Sequence, residues 1–349
     1  SASAGFLISL DYVTNLRETN LWLISLLPIA GLAVGLIYQY FGKDVEAGNN
    51  LLIENIHDPK ETIPFKMAVF VYLGTIITHL FGGSAGREGT ALQMAGSLSD
   101  QLSKPLKLNK EERKVLIISA IAAGFGSVFG TPLAGAIFAL EFQKTGKISY
   151  NAIFPAFFAA ILADLVTNLW KAKHTQYTIS NIPELDFKTL LCSILSGICF
   201  GICAAVFTKS IHAVGHLFKS KISFPALRPF VGGIIVAVAV WIIGSTKYVG
   251  LGIPTILSSF TEALPYFDFA IKMALTILTL AAGFKGGEVT PLFFIGATLG
   301  NALAYFIPLP LDLLAGMGFV SVFAAATNTP LACLMLGIEI FGADSAVYM

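Results

Sequence analysis

The sequence predicts an all-α polytopic membrane protein built from two repeated halves. Three observations carry that expectation. Charged residues fill only 12% of the 349 positions, about half the roughly 25% of soluble domains. Mean hydropathy is +0.77, with the apolar residues gathered into long runs. Two motifs recur in the same order about two hundred residues apart.

The runs lie at 21–41, 67–83, 115–141, 149–170, 189–208, 229–244, 268–284, 291–307 and 311–341. A helix needs about 20 apolar residues to cross a bilayer. Several runs meet that length; others are short or broken by Gly and Pro and read as partly re-entrant. A water-soluble core could not hide so much apolar sequence at this length. Basic residues gather at 104–114 ("KPLKLNKEERK"), 144–147, 171–174 and 209–228, as expected of membrane-boundary loops. The richest of these is expected in the cytoplasm. The net charge of +1 gives no reason to expect nucleic acid as a partner. The opening "SASAGFLISLDYV" lacks a basic region followed by a cleavage site, so no signal peptide is expected. Cys192, Cys199, Cys203 and Cys333 sit in apolar runs and read as small hydrophobes.

The repeat is read from two echoes. In "GREGTALQMAG" (86–96) and "GGEVTPLFFIG" (286–296), Gly86, Glu88, Thr90, Leu92 and Gly96 match Gly286, Glu288, Thr290, Leu292 and Gly296. In "GTPLAGAIFALE" (130–141) and "NTPLACLMLGIE" (328–339), Thr131, Pro132, Leu133, Ala134 and Glu141 match Thr329, Pro330, Leu331, Ala332 and Glu339. Chance in apolar sequence explains a matched Leu or Gly. It does not easily explain a matched Glu and a matched TPLA in order. The expected halves are residues 1–180 and 181–349. Repeats of this kind mark transporters, with the ion site at the repeat interface. Small-xxx-small pairs at Gly31/Gly35 and Gly197/Gly201 suggest close helix crossings.

The glycine–glutamate stretches carry the chemistry. Gly82, Gly83, Gly86 and Gly89 permit a non-helical backbone, and a helix is expected to start near Glu88. A helix start offers unpaired N–H groups and the positive end of the dipole, a natural anion seat. The second copy, "GFKGGEVTP", repeats the turn, with Pro291 suited to a first helical turn. A third break is "EAGNNLLIEN", where Gly48 and Asn49 precede an apolar pair. Glu88 at such a seat has two states. Ionised, it occupies the anion's place; protonated, it must leave, and an anion can enter. The bland alternative pairs Glu88 with Arg87, and Glu288 with Lys285, at solvated loops. Glu141 and Glu339 read as boundary or packing residues. Such coupling needs no nucleotide-binding motif, and no GxxxxGK[ST] is present.

At these residues the sequence resembles the CLC family of chloride channels and anion/proton antiporters. "GREGT" is similar to the family's G-[KR]-E-G-P gating motif, "GGEVTPLFFIGATLG" to its G-x-F-x-P anion-site motif, and "GTPLAGAIFALE" to its N-A-P-L-A-G-x-x-F-x-x-E helix. The likeness spans roughly 20–349. It implies a fold of two inverted-repeat halves with tilted and re-entrant helices, and a homodimer with one pore per subunit. It also implies Glu88 as the gating and proton-transfer residue. Asn49, Gly89, Glu288, Val289 and Thr290 would be anion-binding, with Gly86, Arg87 and Thr90 supporting. Departures matter. Thr90 replaces the motif proline, Asn49 stands near the family's serine, and Phe142 stands where the exchangers carry an inner proton glutamate. The family's last-helix tyrosine is expected beyond Met349. This set resembles the bacterial fluoride-transporting branch and implies fluoride/proton exchange across the cell membrane, with membrane lipid as the surroundings and no cofactor. A chloride/proton exchanger or chloride channel shares the same motifs and stands as the alternative. An intramembrane hydrolase using Glu88 and Glu288 is the competing class, but no histidine has GxSxG or HExxH context, and His79, in an apolar run, reads as a packing or hydrogen-bonded residue rather than a ligand. No metal-ligand spacing is seen.

Overall fold

The computed structural model describes residues 1–58, 61–142, 149–172 and 174–349. The chain runs through α1 (Ala2–Thr19), a 3₁₀ segment (Leu21–Leu26) leading into α2 (Leu27–Phe41), α3 (Asn49–His57), α4 (Lys66–Leu80), α5 (Glu88–Asp100), α6 (Lys110–Phe129), α7 (Pro132–Glu141) and α8 (Ile153–Leu169). It continues through α9 (Phe187–Lys221), α10 (Leu227–Ile243), α11 (Ile253–Ser258), α12 (Asp268–Ala281), α13 (Val289–Leu303), α14 (Leu311–Thr327) and α15 (Pro330–Phe341). Segments Leu21–Phe41, Tyr150–Leu169 and Phe187–Lys221 are long and apolar enough to cross a bilayer. The fold is all-α.

Two apolar runs that read as continuous are each two helices. Gly130 ends α6 in the left-handed region (φ 74°), and Asn328 ends α14 the same way (φ 56°). A Thr-Pro then starts α7 and α15, because proline loses nothing at a position whose N–H has no helical partner. Helix α1 was not legible as an apolar run, since Asp11, Arg17 and Glu18 interrupt it. It nevertheless buries Phe6, Leu10 and Arg17.

Helices α1–α7 correspond one for one with α9–α15. The register corrects the expected echo by one residue. Gly86 and Gly287 face each other in an antiparallel bridge. Asp100 accepts from Ile63 N–H as Asn301 accepts from Leu264 N–H. The backbone therefore equates Glu88 with Val289 and Arg87 with Glu288. Sequence identity had matched the two glutamates, but the turn hydrogen bonds fix the true alignment.

The halves are inverted, and the TPLA helices make this concrete. Glu339 of α15 accepts from Leu133 and Ala134 N–H at the start of α7 (3.0 and 2.7 Å). Glu141 of α7 accepts from Leu331 and Ala332 N–H at the start of α15 (3.2 and 2.7 Å). Each carboxylate would be unfavourable at its own helix's negative end and is stabilised by the positive end of the other.

Glycine permits the tightest crossings. Gly296 of α13 and Gly318 of α14 bring backbone against backbone, so a Cβ on either would collide with the other's carbonyl. Gly31 and Gly35 meet Pro229 and Ala226 backbone as the spacing suggested. Gly197 and Gly201 do not: a Cβ there would meet nothing within 4 Å, because that face of α9 packs on no neighbour. The two pairs look identical in sequence, and only the neighbour distinguishes them.

Gly318→Ala should therefore destabilise the detergent-solubilised protein by at least about 1–3 kcal/mol through overpacking, whereas Gly197→Ala should unfold at the wild-type temperature or slightly above. Glu339→Ala should cost about 0.5–2 kcal/mol, the range of a lost helix cap, and Glu141→Ala a similar amount, both read as earlier thermal unfolding.

Candidate functional site

The site begins where α4 and α12 end. Each chain turns through a glycine in the left-handed region, Gly82 (φ 82°) and Gly283 (φ 105°). The next residue bonds back to its helix: Gly83 N–H to Thr78 O, Phe284 N–H to Thr279 O. Two extended stretches then meet at Gly86 and Gly287, with N···O distances of 2.5 and 2.8 Å. A Cβ at Gly86 would sit 2.9 Å from Pro291 Cδ and 3.0 Å from Gly287 O, so only glycine fits. Immediately after the bridge, α5 and α13 start, and their unpaired N–H groups converge.

Glu88, the first residue of α5, is fully buried. Its Oε2 accepts from Thr290 N–H and from Arg87 N–H, both at 3.1 Å. Its Oε1 accepts from the Thr290 hydroxyl. A carboxylate from one half thus sits on the helix start of the other, where the unpaired N–H groups and the helix dipole favour negative charge. Arg87 Nε lies 3.7 Å from Glu88 Oε1 and makes no hydrogen bond. This is not a solvated loop pair; both side chains are buried.

A third helix start approaches the same place. Gly48 (φ 58°) precedes α3, and Asn49 Nδ2 lies 3.4 Å from where a Cβ on Gly89 would be. Asn49 Oδ1 is buried without a hydrogen-bond partner. The far end of α3 is held by Arg113. Its Nε and Nη2 donate to Asp100 (both 2.7 Å), and Nη2 also reaches Asn55 Oδ1 (2.8 Å).

The other expected residues divide. Val289 is buried at the first position of α13. Glu288 precedes it with an exposed side chain, and its electrostatic neighbour is His212 on α9. Thr90 is buried, with its hydroxyl paired to Thr75 on α4 at 2.6 Å. It joins α5 to α4, while the second half's threonine serves the carboxylate. Phe142 stacks on Phe138 (5.0 Å between ring centroids).

His79 is hydrogen-bonded, one of the two roles its apolar run suggested, but the polar lock it forms with Arg17, Ser84 and Lys272 behind the bridge was not legible in the sequence. His79, buried in α4, places Nδ1 2.9 Å from Thr75 O and Nε2 3.0 Å from Ala85 O. Arg17 of α1 donates to His79 O (2.9 Å), closing the carbonyl end of α4. Lys272, fully buried on α12, donates to Tyr248 O (3.0 Å) and Gly250 O (2.6 Å). Ser84 Oγ donates to Tyr248 O (2.9 Å), and Gly250 N–H donates to Gly83 O (2.9 Å). Isolated charges in greasy sequence were the available signal; their partners are backbone carbonyls, which no motif displays. Among the described residues no group of three or more His, Cys, Asp or Glu is placed to hold a metal ion.

Thr290→Val should weaken the Glu88 seat by about 1.5–3 kcal/mol, the worth of a hydrogen bond to a charged group. The check is thermal unfolding in detergent: Thr290→Ser, which keeps the donor, should recover most of the loss.

The comparisons with known proteins agree with this geometry. The family described as "Voltage gated chloride channel" matches residues 30–349. A "Chloride/fluoride channel protein" of Pseudomonas syringae pv. tomato is 51% identical over 352 aligned positions, covering 99% of this chain and 78% of that one. The crystal structure of a CLC-type fluoride/proton antiporter superimposes with a TM-score of 0.96 at 33% identity, covering 99% of this chain and 88% of that one. A slow cyanobacterial Cl⁻/H⁺ antiporter shares the fold (TM-score 0.85, 18% identity, 99% and 87% covered). With its inverted halves, its paired helix starts and a family match over nearly all of its length, the chain is a membrane protein of the CLC family.

Proposed function

We propose that this protein is a fluoride/proton antiporter in which Glu88 is both the gate and the proton carrier. The observation that carries the reading is the Glu88 carboxylate lying on the Thr290 amide and hydroxyl. An ionised carboxylate there fills the anion's place. A protonated one loses the attraction to the helix start, swings out and leaves the donors to an incoming anion. Proton and anion therefore exchange at a single seat. Release of that proton on the other side of the membrane and return of the ionised Glu88 to its seat would complete the cycle and export fluoride from the cell across a bacterial inner membrane.

Fluoride is small and strongly hydrated, so its dehydration must be offset by short bonds from real donors. Thr290 offers a hydroxyl and an amide, Asn49 a side-chain amide, and Gly89 and Val289 backbone N–H groups at the two helix starts. Gly86 permits the bridge, Arg87 holds positive charge beside the gate, and Thr90 ties α5 to α4. Glu288, exposed beside His212, assists proton movement. The repeat halves divide at about residue 180, between α8 and α9. The exposed apolar faces of α8 and α9, including Leu165, Ile194, Ile198 and Ile202, suit lipid, and the assembly is a homodimer. A second reading has specific support: the Pseudomonas relative is named as a channel. A channel would pass anion without moving protons.

Purified protein in liposomes separates the readings. A fluoride gradient should drive proton movement in the opposite sense, a chloride gradient should not, and Glu88→Gln should abolish proton coupling. Proton coupling that survives Glu88→Gln would refute the gate. Fluoride flux without protons in the wild type would favour the channel.

A further inference from the structure

A second cluster of buried polar groups lies near Glu88 and has no part in the seat. His174, on the segment between α8 and α9, lies over the turn joining α6 to α7. A Cβ at Gly130 would be 2.9 Å from its ring. Both ring nitrogens are buried without a normal hydrogen bond, and so is Oδ1 of Asp164 on α8. Almost all buried polar groups in proteins are bonded, so three orphans in one place need an explanation. They face each other: His174 Nε2 is 3.8 Å from Asp164 Oδ1, with side chains 11% and 16% exposed. One proton on the ring and a small movement would turn the pair into an ion pair.

The charged surroundings point the cluster toward the gate. Arg87, whose Nε is also an orphan, acts electrostatically on His174 and stands 3.7 Å from Glu88. Tyr177, three residues further along the segment, acts with both Arg87 and Glu88. Asp11 of α1 faces Arg87, and Glu339 of α15 faces Asp164. Burial, above all, and Arg87 push the His174 imidazole below its ordinary value near 6.5, while Asp164 and the Val128 backbone carbonyl pull it back up. Helix α6 leaves the basic 104–114 loop and covers about 30 Å before reaching Gly130. His174 thus serves the membrane face opposite that loop.

We propose that His174 and Asp164 form a proton-loading pair between that face and Glu88. A proton from bulk water binds a ring nitrogen, and Asp164 stabilises the imidazolium. The proton then moves through solvent to the Glu88 carboxylate, which becomes neutral and leaves its seat, and the ring returns to its neutral form. This rests on the antiporter reading above.

The test is fluoride-driven proton flux in liposomes for wild type, His174→Gln and Asp164→Asn, with fluoride binding measured on the same preparations. His174→Gln should bind fluoride as wild type does. It should lose about tenfold or more in coupled flux near pH 7.5 and recover toward pH 5.5, where water alone delivers protons. A folded His174→Gln protein with wild-type flux across that whole range overturns the pair. Histidine NMR keeps the question open to decision if wild type shows no coupled flux, which would defeat the antiporter reading itself. The His174 titration should shift in Asp164→Asn and in Glu88→Gln; an unmoved titration in both overturns the pair.

Discussion

Everything at the centre of this protein depends on two backbone hydrogen bonds between Gly86 and Gly287. They join the halves at the point where each chain stops being extended and becomes helix. That fixes two helix starts beside each other, with their N–H groups unspent by their own helices. The glycines are obligatory because the neighbouring backbone and Pro291 leave no room for a Cβ. The lock formed by His79, Arg17, Ser84 and Lys272 then satisfies the carbonyls that this irregular backbone exposes. Non-helical backbone is tolerated at membrane depth only when its polar groups are met in this way.

The repeat supplies the frame and a one-residue difference supplies the chemistry. At equivalent positions the first half carries Arg87-Glu88-Gly89 and the second Glu288-Val289-Thr290. A strictly symmetric pair would place like groups against each other. Here an acceptor from one half meets a hydroxyl and an amide from the other. Val289 keeps the second half from presenting a carboxylate of its own at the shared seat. Thr90 and Thr290 likewise look alike in sequence and do different work, one bracing α5 against α4 and the other holding Glu88.

Much of this was legible beforehand. Composition gave the membrane class, and the glycines before Glu88 marked the helix start. Gly48 and Asn49 marked the start of α3 in the same way. What escaped needed partners distant in sequence. Letter matching aligned Glu88 with Glu288, whereas turn hydrogen bonds align by backbone and place Glu288 one residue earlier, with an exposed side chain that feels the charge of His212. Gly197 and Gly201 carried the same spacing as Gly31 and Gly35, yet only the latter pair meets another backbone. Lys272 and Arg17 gave no motif, because a charge that bonds to carbonyls leaves no trace in its partners' side chains.

The reciprocal caps of Glu141 and Glu339 bear on what kind of movement this molecule can make. Each half grips the first turn of a helix in the other, so swinging one half as a rigid body would break four charge-assisted hydrogen bonds at once. A protein tied in this way has a stiff frame, and its moving part is correspondingly small. The cheapest displacement available is the rotation of a single side chain about its own bonds. On the antiporter reading proposed above, such a frame would work as a latch turning in a fixed wall rather than as a wall that rocks.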